Sequence, residues 1–155
     1  MTKQTFELKE LPETYVAGLA LRSNNRTEQE LKEQGWIAKT WEEVRQMEGP
    51  NLPAAIYTGY AGDKDDNFTL VIGFQRESAD DFKIGEVISK VPAGKYARFS
   101  HKGSLPNAAI EAWQAVWQAE EEGTLDRAYS ADLEMHEGSN ENINDLTVEL
   151  YIAIK

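Results

Sequence analysis

The 155-residue sequence contains no cysteine, which excludes disulfides and thiolate metal sites together. No apolar run approaches the roughly 20 residues needed to span a bilayer, and the start, MTKQTFELKE, lacks the apolar core of a secretory signal. Histidine is scarce: the two present, His101 and His136, are not at metal-ligand spacing. Basic residues number 16 against 27 acidic ones, a net charge of −11. Phosphate neutralisation needs clustered Lys and Arg, and none occur, so direct nucleic-acid binding is not expected. A glycine-rich phosphate loop is missing too. Ser104 follows Gly103 without the second glycine of a nucleophile elbow. Asp63, Asp65 and Asn67 imitate the start of a calcium loop, but Phe68 stands where glycine is required and Phe74 where the closing glutamate belongs. These absences leave a cytoplasmic domain without a cofactor. Its acidic surface either keeps it soluble or favours cationic ligands and basic protein partners.

What is present is a repeated grammar. Hydrophobic residues make up 41%, enough for one compact domain or two small fused modules. Residues Phe6 to Leu21 read as extended and contain Leu11-Pro12; a helical region follows from about Thr27 to Met47. Two strands, Ala54 to Tyr60 and Phe68 to Arg76, flank a polar turn from Gly62 to Asn67. The order then recurs: an extended stretch from Phe82 to Ser100 containing Val91-Pro92, a helix from about Ser104 to Glu122, and strands Tyr129 to His136 and Leu146 to Ile154. A Gly, Ser and Asn-rich turn, Gly138 to Asp145, joins the last two. The expected fold is α+β: tandem strand–helix–strand–strand modules, about 1–80 and 81–155, with an antiparallel sheet and helices on one side. Pro12 matches Pro92, Tyr15 matches Tyr96 and Thr69 matches Thr147.

Thr27 with Glu30, and Thr40 with Glu43, have capping-box spacing. Gly35 divides the first helical region, and Gly123 sits where a helix commonly stops. Ile37, Trp41 and Val44 share one helical face; Ile110, Trp113, Val116 and Trp117 share another.

Strand alternation places Asp132, Glu134 and His136 on one face, opposite Leu133 and Met135. Val148, Leu150, Ile152 and Ile154 form an apolar row expected to pack under the Trp113–Trp117 helix. Phe68, Leu70, Ile72 and Phe74 form the corresponding row in the first half. Glu134, Glu149 and Tyr151 are then expected together on the other face, with Gly73 leaving backbone room beside them. Two readings stay open. That face is a wet outer surface, or Glu134, too costly to bury alone, has a cationic partner in a lined cavity. Helical spacing makes Trp113 and Trp117 core residues first, with ligand contact the alternative, and Tyr15, Tyr57, Tyr60 and Tyr96 read as packing residues with a hydrated hydroxyl.

The stretch Val91-Pro92-Ala93-Gly94-Lys95-Tyr96-Ala97, with His101-Lys102-Gly103, the Trp113 helix, Leu133-Glu134-Met135-His136 and Val148-Glu149-Leu150-Tyr151-Ile152, resembles the GyrI-like small-molecule-binding domain. That family also supplies the effector-binding part of multidrug-responsive transcription regulators. The resemblance implies two modules with pseudo-twofold symmetry and a groove between them, where a strand glutamate faces lipophilic, often cationic ligands among aromatic rings. Glu134 stands at that position, and His136 stands where the family commonly carries tyrosine. Glu149, Tyr151, Trp113, Tyr96, His136 and Tyr57 are the further candidate ligand-binding residues. Three functions follow: a stand-alone binder of lipophilic small molecules, a hydrolase opening cyclopropane rings with Glu134 and Glu149 as the catalytic pair, or an interaction with a protein partner such as a regulator or gyrase.

Overall fold

The computed structural model describes residues 6–47, 52–138 and 145–155. Part of the Gly138–Asp145 turn lies outside the described residues. The elements run β1 (Glu7–Leu11), β2 (Thr14–Ser23), α1 (Asn25–Leu31), α2 (Trp36–Arg45), β3 (Pro53–Thr58), β4 (Phe68–Arg76), β5 (Val87–Val91), β6 (Gly94–Gly103), α3 (Asn107–Glu121), β7 (Ala131–Glu137) and β8 (Leu146–Ala153). All eight strands join one antiparallel sheet in the order β1-β6-β8-β7-β3-β4-β2-β5.

That order reads the same from either end when each strand is exchanged for its counterpart in the other half. Each half lends its first strand to the other: β1 pairs with β6, and β5 pairs with β2. The switch occurs at Pro12 and Pro92, whose missing N–H ends one ladder where the next begins. Superposing the pairing registers sets Arg22 on Lys102, Thr69 on Thr147 and Val16 on Tyr96. Tyr15 therefore corresponds to Lys95, and the expected Tyr15–Tyr96 match is displaced by one residue. In the central strands the same superposition sets Ala55 on Glu134, and these two are each other's cross-strand partners. The pseudo-twofold axis thus passes through the Ala55–Glu134 pair.

The helices lie on one face. Trp41 and Val44 of α2 pack on Ala55, Tyr57, Phe68, Leu70, Ile72 and Phe74. The buried face of α3 is Ala108, Ala112, Val116 and Ala119, set on Ala97, Phe99, Val148, Leu150 and Ile152. The expected stripe was rotated from this. Alanines let the helix lie close to the sheet, Ile110 is left exposed, and Trp113 swings to the midline to touch both clusters. Neither capping box forms. Asn24 caps α1 by accepting from the Thr27 amide at 2.8 Å, and Thr40 lies inside α2, donating to the Trp36 carbonyl at 2.7 Å. Gly35, extended, does divide the helices, and Gly123 (φ 82°) ends the turn after α3.

The opposite face is also dry. Leu11, Val16, Ile56, Val71, Val91, Tyr96, Leu133, Met135 and Tyr151 form a buried cluster there. None of the described helices covers it; the sheet rolls until β5 approaches β3 and β7. The Gly18–Gly73 pair makes this bend possible, because a Cβ on either residue would sit about 2 Å from the partner strand's carbonyl oxygen (2.1 Å from Ile72 and 1.9 Å from Ala17). The room expected at Gly73 is therefore filled by β2.

Candidate functional site

Glu134 is central in β7, at the middle of the eight-stranded sheet, and only 1% of its surface is exposed. Its cross-strand partners are Ala55 and Leu150, so its side chain stands on the helix face. Ala55 contributes only a methyl group at the pseudo-dyad, leaving that volume to the carboxylate. Three donors converge on it. The Tyr57 hydroxyl (3.0 Å) and Trp113 Nε1 (2.8 Å) donate to Oε1, and His136 Nε2 lies 2.6 Å from Oε2. The wet-surface reading of Glu134 is thus excluded by its burial, and the demand for partners is met from three elements.

Burial by itself would push this carboxyl up, but the bonds from His136, Trp113 and Tyr57 outweigh it and hold Glu134 below the usual glutamate range. Tyr57 moves the other way. Burial first, then the neighbouring Glu134 charge, raises its hydroxyl well above the ordinary phenol value, so it remains a donor. His136 lies nearly parallel to Trp41, with ring centroids 4.1 Å apart at 13°, and its buried Nδ1 has no hydrogen-bond partner among the described residues. Tyr57 and Trp113 meet at a centroid separation of 4.8 Å. The carboxylate is therefore flanked by rings from β3, α3 and its own strand, with Trp41 of α2 stacked on His136, and Arg45 of α2 interacts electrostatically with Glu134.

A second buried network borders this one. Asp132, fully buried, accepts from Arg127 Nη2 (2.9 Å), the Tyr60 hydroxyl (2.5 Å) and the Ala153 amide (2.8 Å). The Arg127 guanidinium lies over the Tyr129 ring at 4.2 Å and 5.8 Å from the Trp113 ring. Its charge is matched by Asp132, so it braces Trp113 without neutralising Glu134. Sequence reasoning passed over Arg127 and assigned Trp41 only to a helix face. The available signal was parity: Asp132 shares Glu134's face and needs a cation of its own.

The expected grouping of Glu134 with Glu149 and Tyr151 does not occur. Met135 pairs with Glu149 and Leu133 with Tyr151, so Glu149 and Tyr151 stand on the far side of the sheet. There Glu149 accepts from the Tyr151 hydroxyl (3.1 Å) and forms an ion pair with Arg98 Nε at 2.7 Å. Burial and the Glu149 charge push Tyr151 up to about 12. Tyr96 is also on that side, donating to the Pro92 carbonyl at 2.5 Å as a clasp on the strand switch. Glu134 and Glu149 therefore cannot hold one water between them, and Glu134 lacks the raised pKa expected of a general base. Tyr57, Trp113 and His136 are the candidates that the fold gathers around Glu134.

A family model described as Cass2, integron-associated effector binding protein, matches residues 7–154. An integron cassette protein from Vibrio cholerae, VCH_CASS2, is 25% identical with a TM-score of 0.77, across 98% of this chain and 97% of that chain. A protein called SAV2435, solved bound to tetraphenylphosphonium, is 14% identical with a TM-score of 0.69, across 98% of this chain and 94% of that chain. A putative transcription regulation protein from Staphylococcus aureus is 11% identical with a TM-score of 0.66, across 97% of both chains. The last two establish likeness of fold. No curated protein matches the chain.

Proposed function

The chain belongs to the integron-associated effector binding protein family, Cass2, and from that membership we propose that it binds a lipophilic cation at Glu134, between α2 and α3. The fold is the GyrI-like effector-binding fold. One observation carries the finer reading: a carboxylate, favoured in its ionised form, buried at the pseudo-dyad between Tyr57, Trp113 and a His136 ring stacked on Trp41. A carboxylate in that setting attracts positive charge more strongly than one in water, and the rings reward a cation that arrives with little hydration. The ligand-binding set is Glu134, Tyr57, Trp113 and His136, with Trp41 added. That SAV2435 takes tetraphenylphosphonium on the same fold is consistent with this ligand class.

Calorimetric titration with tetraphenylphosphonium tests the assignment. Glu134→Gln, which keeps an acceptor for Tyr57 and Trp113, removes the charge and weakens binding by about 1–3 kcal/mol, the range for a charge-assisted contact. Equal affinity in variant and parent would remove Glu134 from the site. No observation favours hydrolysis.

A further inference from the structure

His136 already occupies the place a cation would take. Its ring lies flat on Trp41 and presents Nε2 to Glu134 at 2.6 Å. This is the pairing of an aromatic wall and a carboxylate by which the site would hold a ligand. We propose that His136 and the ligand's positive charge compete for the single Glu134 carboxylate, so that His136 sets how affinity depends on ligand charge and on pH. This rests on the cation-binding reading above.

The proton in question can be located. Glu134 is an ionised acceptor, so His136 Nε2 carries hydrogen in either ring state. The proton that separates imidazolium from imidazole is therefore the one on Nδ1, which is buried and meets no acceptor among the described residues. The groups around it are few. From its own strand comes Glu134, and from β3 comes Tyr57, which stays protonated. From α2 come Trp41 and the charge of Arg45, itself offset by Glu42. From α3 comes Trp113, and the cross-strand partner on β8 is Val148, neither of which titrates. Asp132 is already matched by Arg127. Among the described residues, Glu134 is thus the one unmatched negative charge beside this ring, available to an imidazolium at this position and to an entering cation. Two cations against one buried carboxylate repel each other where water screens little. The ligand then enters with loss of the Nδ1 proton, or the proton holds the ligand out.

By linkage, the free protein with an Nδ1 proton holds one proton more than the complex, so competition makes cation affinity fall as pH drops. In the limit of full competition the fall approaches about tenfold per pH unit. A neutral lipophile displaces no charge, and its affinity stays level.

The experiment titrates tetraphenylphosphonium, which is permanently charged, into the full chain from roughly pH 5.5 to 8.5, the range in which histidines ordinarily change charge. Wild type and His136→Gln are compared in two buffers of different ionisation enthalpy. The expected result is weaker wild-type binding at acid pH with protons released to the buffer, and a level, tighter profile for His136→Gln at the acid end. Level wild-type affinity with no proton release overturns the competition while leaving the cation site standing. Absence of binding at every pH in both proteins overturns the cation site and the competition with it. Nitrogen-detected NMR of the wild-type imidazole serves if His136→Gln fails to fold. Loss of the Nδ1 proton on saturation with the cation at acid pH supports competition; its retention refutes it.

Discussion

Replacing Glu134 by alanine removes the acceptor for three donors at once: the Tyr57 hydroxyl, Trp113 Nε1 and His136 Nε2. Each buried donor left unpaired costs about 1–3 kcal/mol. The three are not additive, since they share one acceptor group and the Tyr57 hydroxyl can rotate. A loss of about 3–5 kcal/mol is therefore expected, the range for breaking one side of a buried charged pair. Against a total stability of about 5–15 kcal/mol, that is about a fifth or more, and it lowers Tm by about 6–20 °C for a chain of this length. Glu134→Gln is the control: its amide oxygen still accepts from Tyr57 and Trp113, and the expected cost is about 1–2 kcal/mol. Urea unfolding at neutral pH, followed by circular dichroism and tryptophan fluorescence, reads both. An alanine variant within about 0.5 kcal/mol of wild type, the size of an ordinary surface substitution, would mean that the three-donor network contributes nothing, and the account of the site would fall with it.

Other expectations follow from the same geometry. Glu134 is held below its ordinary value of 4.5, so its contribution is present above that pH and is lost as pH falls through the lower folded value. The stability gap between wild type and Glu134→Gln should therefore narrow on acidification below about pH 4.5, and a constant gap in urea midpoints would contradict the depressed pKa. Arg127→Met strands the fully buried Asp132 carboxylate and should cost about 3–5 kcal/mol; unchanged thermal unfolding would show that Asp132 needs no cation. Glu149→Gln, on the far face with Arg98, should leave tetraphenylphosphonium affinity within twofold of wild type, about 0.4 kcal/mol, and a large loss by calorimetry would place the ligand on that side. Asn24→Ala removes the cap on α1 and should cost about 1 kcal/mol in urea.

Much of the architecture was legible because its signals are local. Period-two rows in Phe68–Phe74 and Val148–Ile152 mark core strands wherever they lie, and Pro12 and Pro92 announce the points where strands must change partner. Gly35 and Gly123 end helices for reasons of backbone alone. The helix details failed where tertiary contact outweighed pattern. The large residues of α3 predicted a stripe through Ile110, but the sheet beneath accepts the alanine face, and Trp113 is needed at the midline. At the α1 start, Asn24 captured the Thr27 amide before a capping box could form.

From the chain alone came the identity of the central acid, its neighbours along β7 and the duplicated order of elements, since each depends on residues a few positions apart. Tertiary pairing decided which acid and which rings share its face. A one-residue change in register turns every side chain of a strand to the opposite side, and the β7–β8 register matches Glu134 with Leu150 rather than with Glu149. Tyr57 and Trp113 reach Glu134, and Trp41 reaches His136, from elements far apart in sequence, and only the folded sheet with α2 and α3 laid on it brings them together.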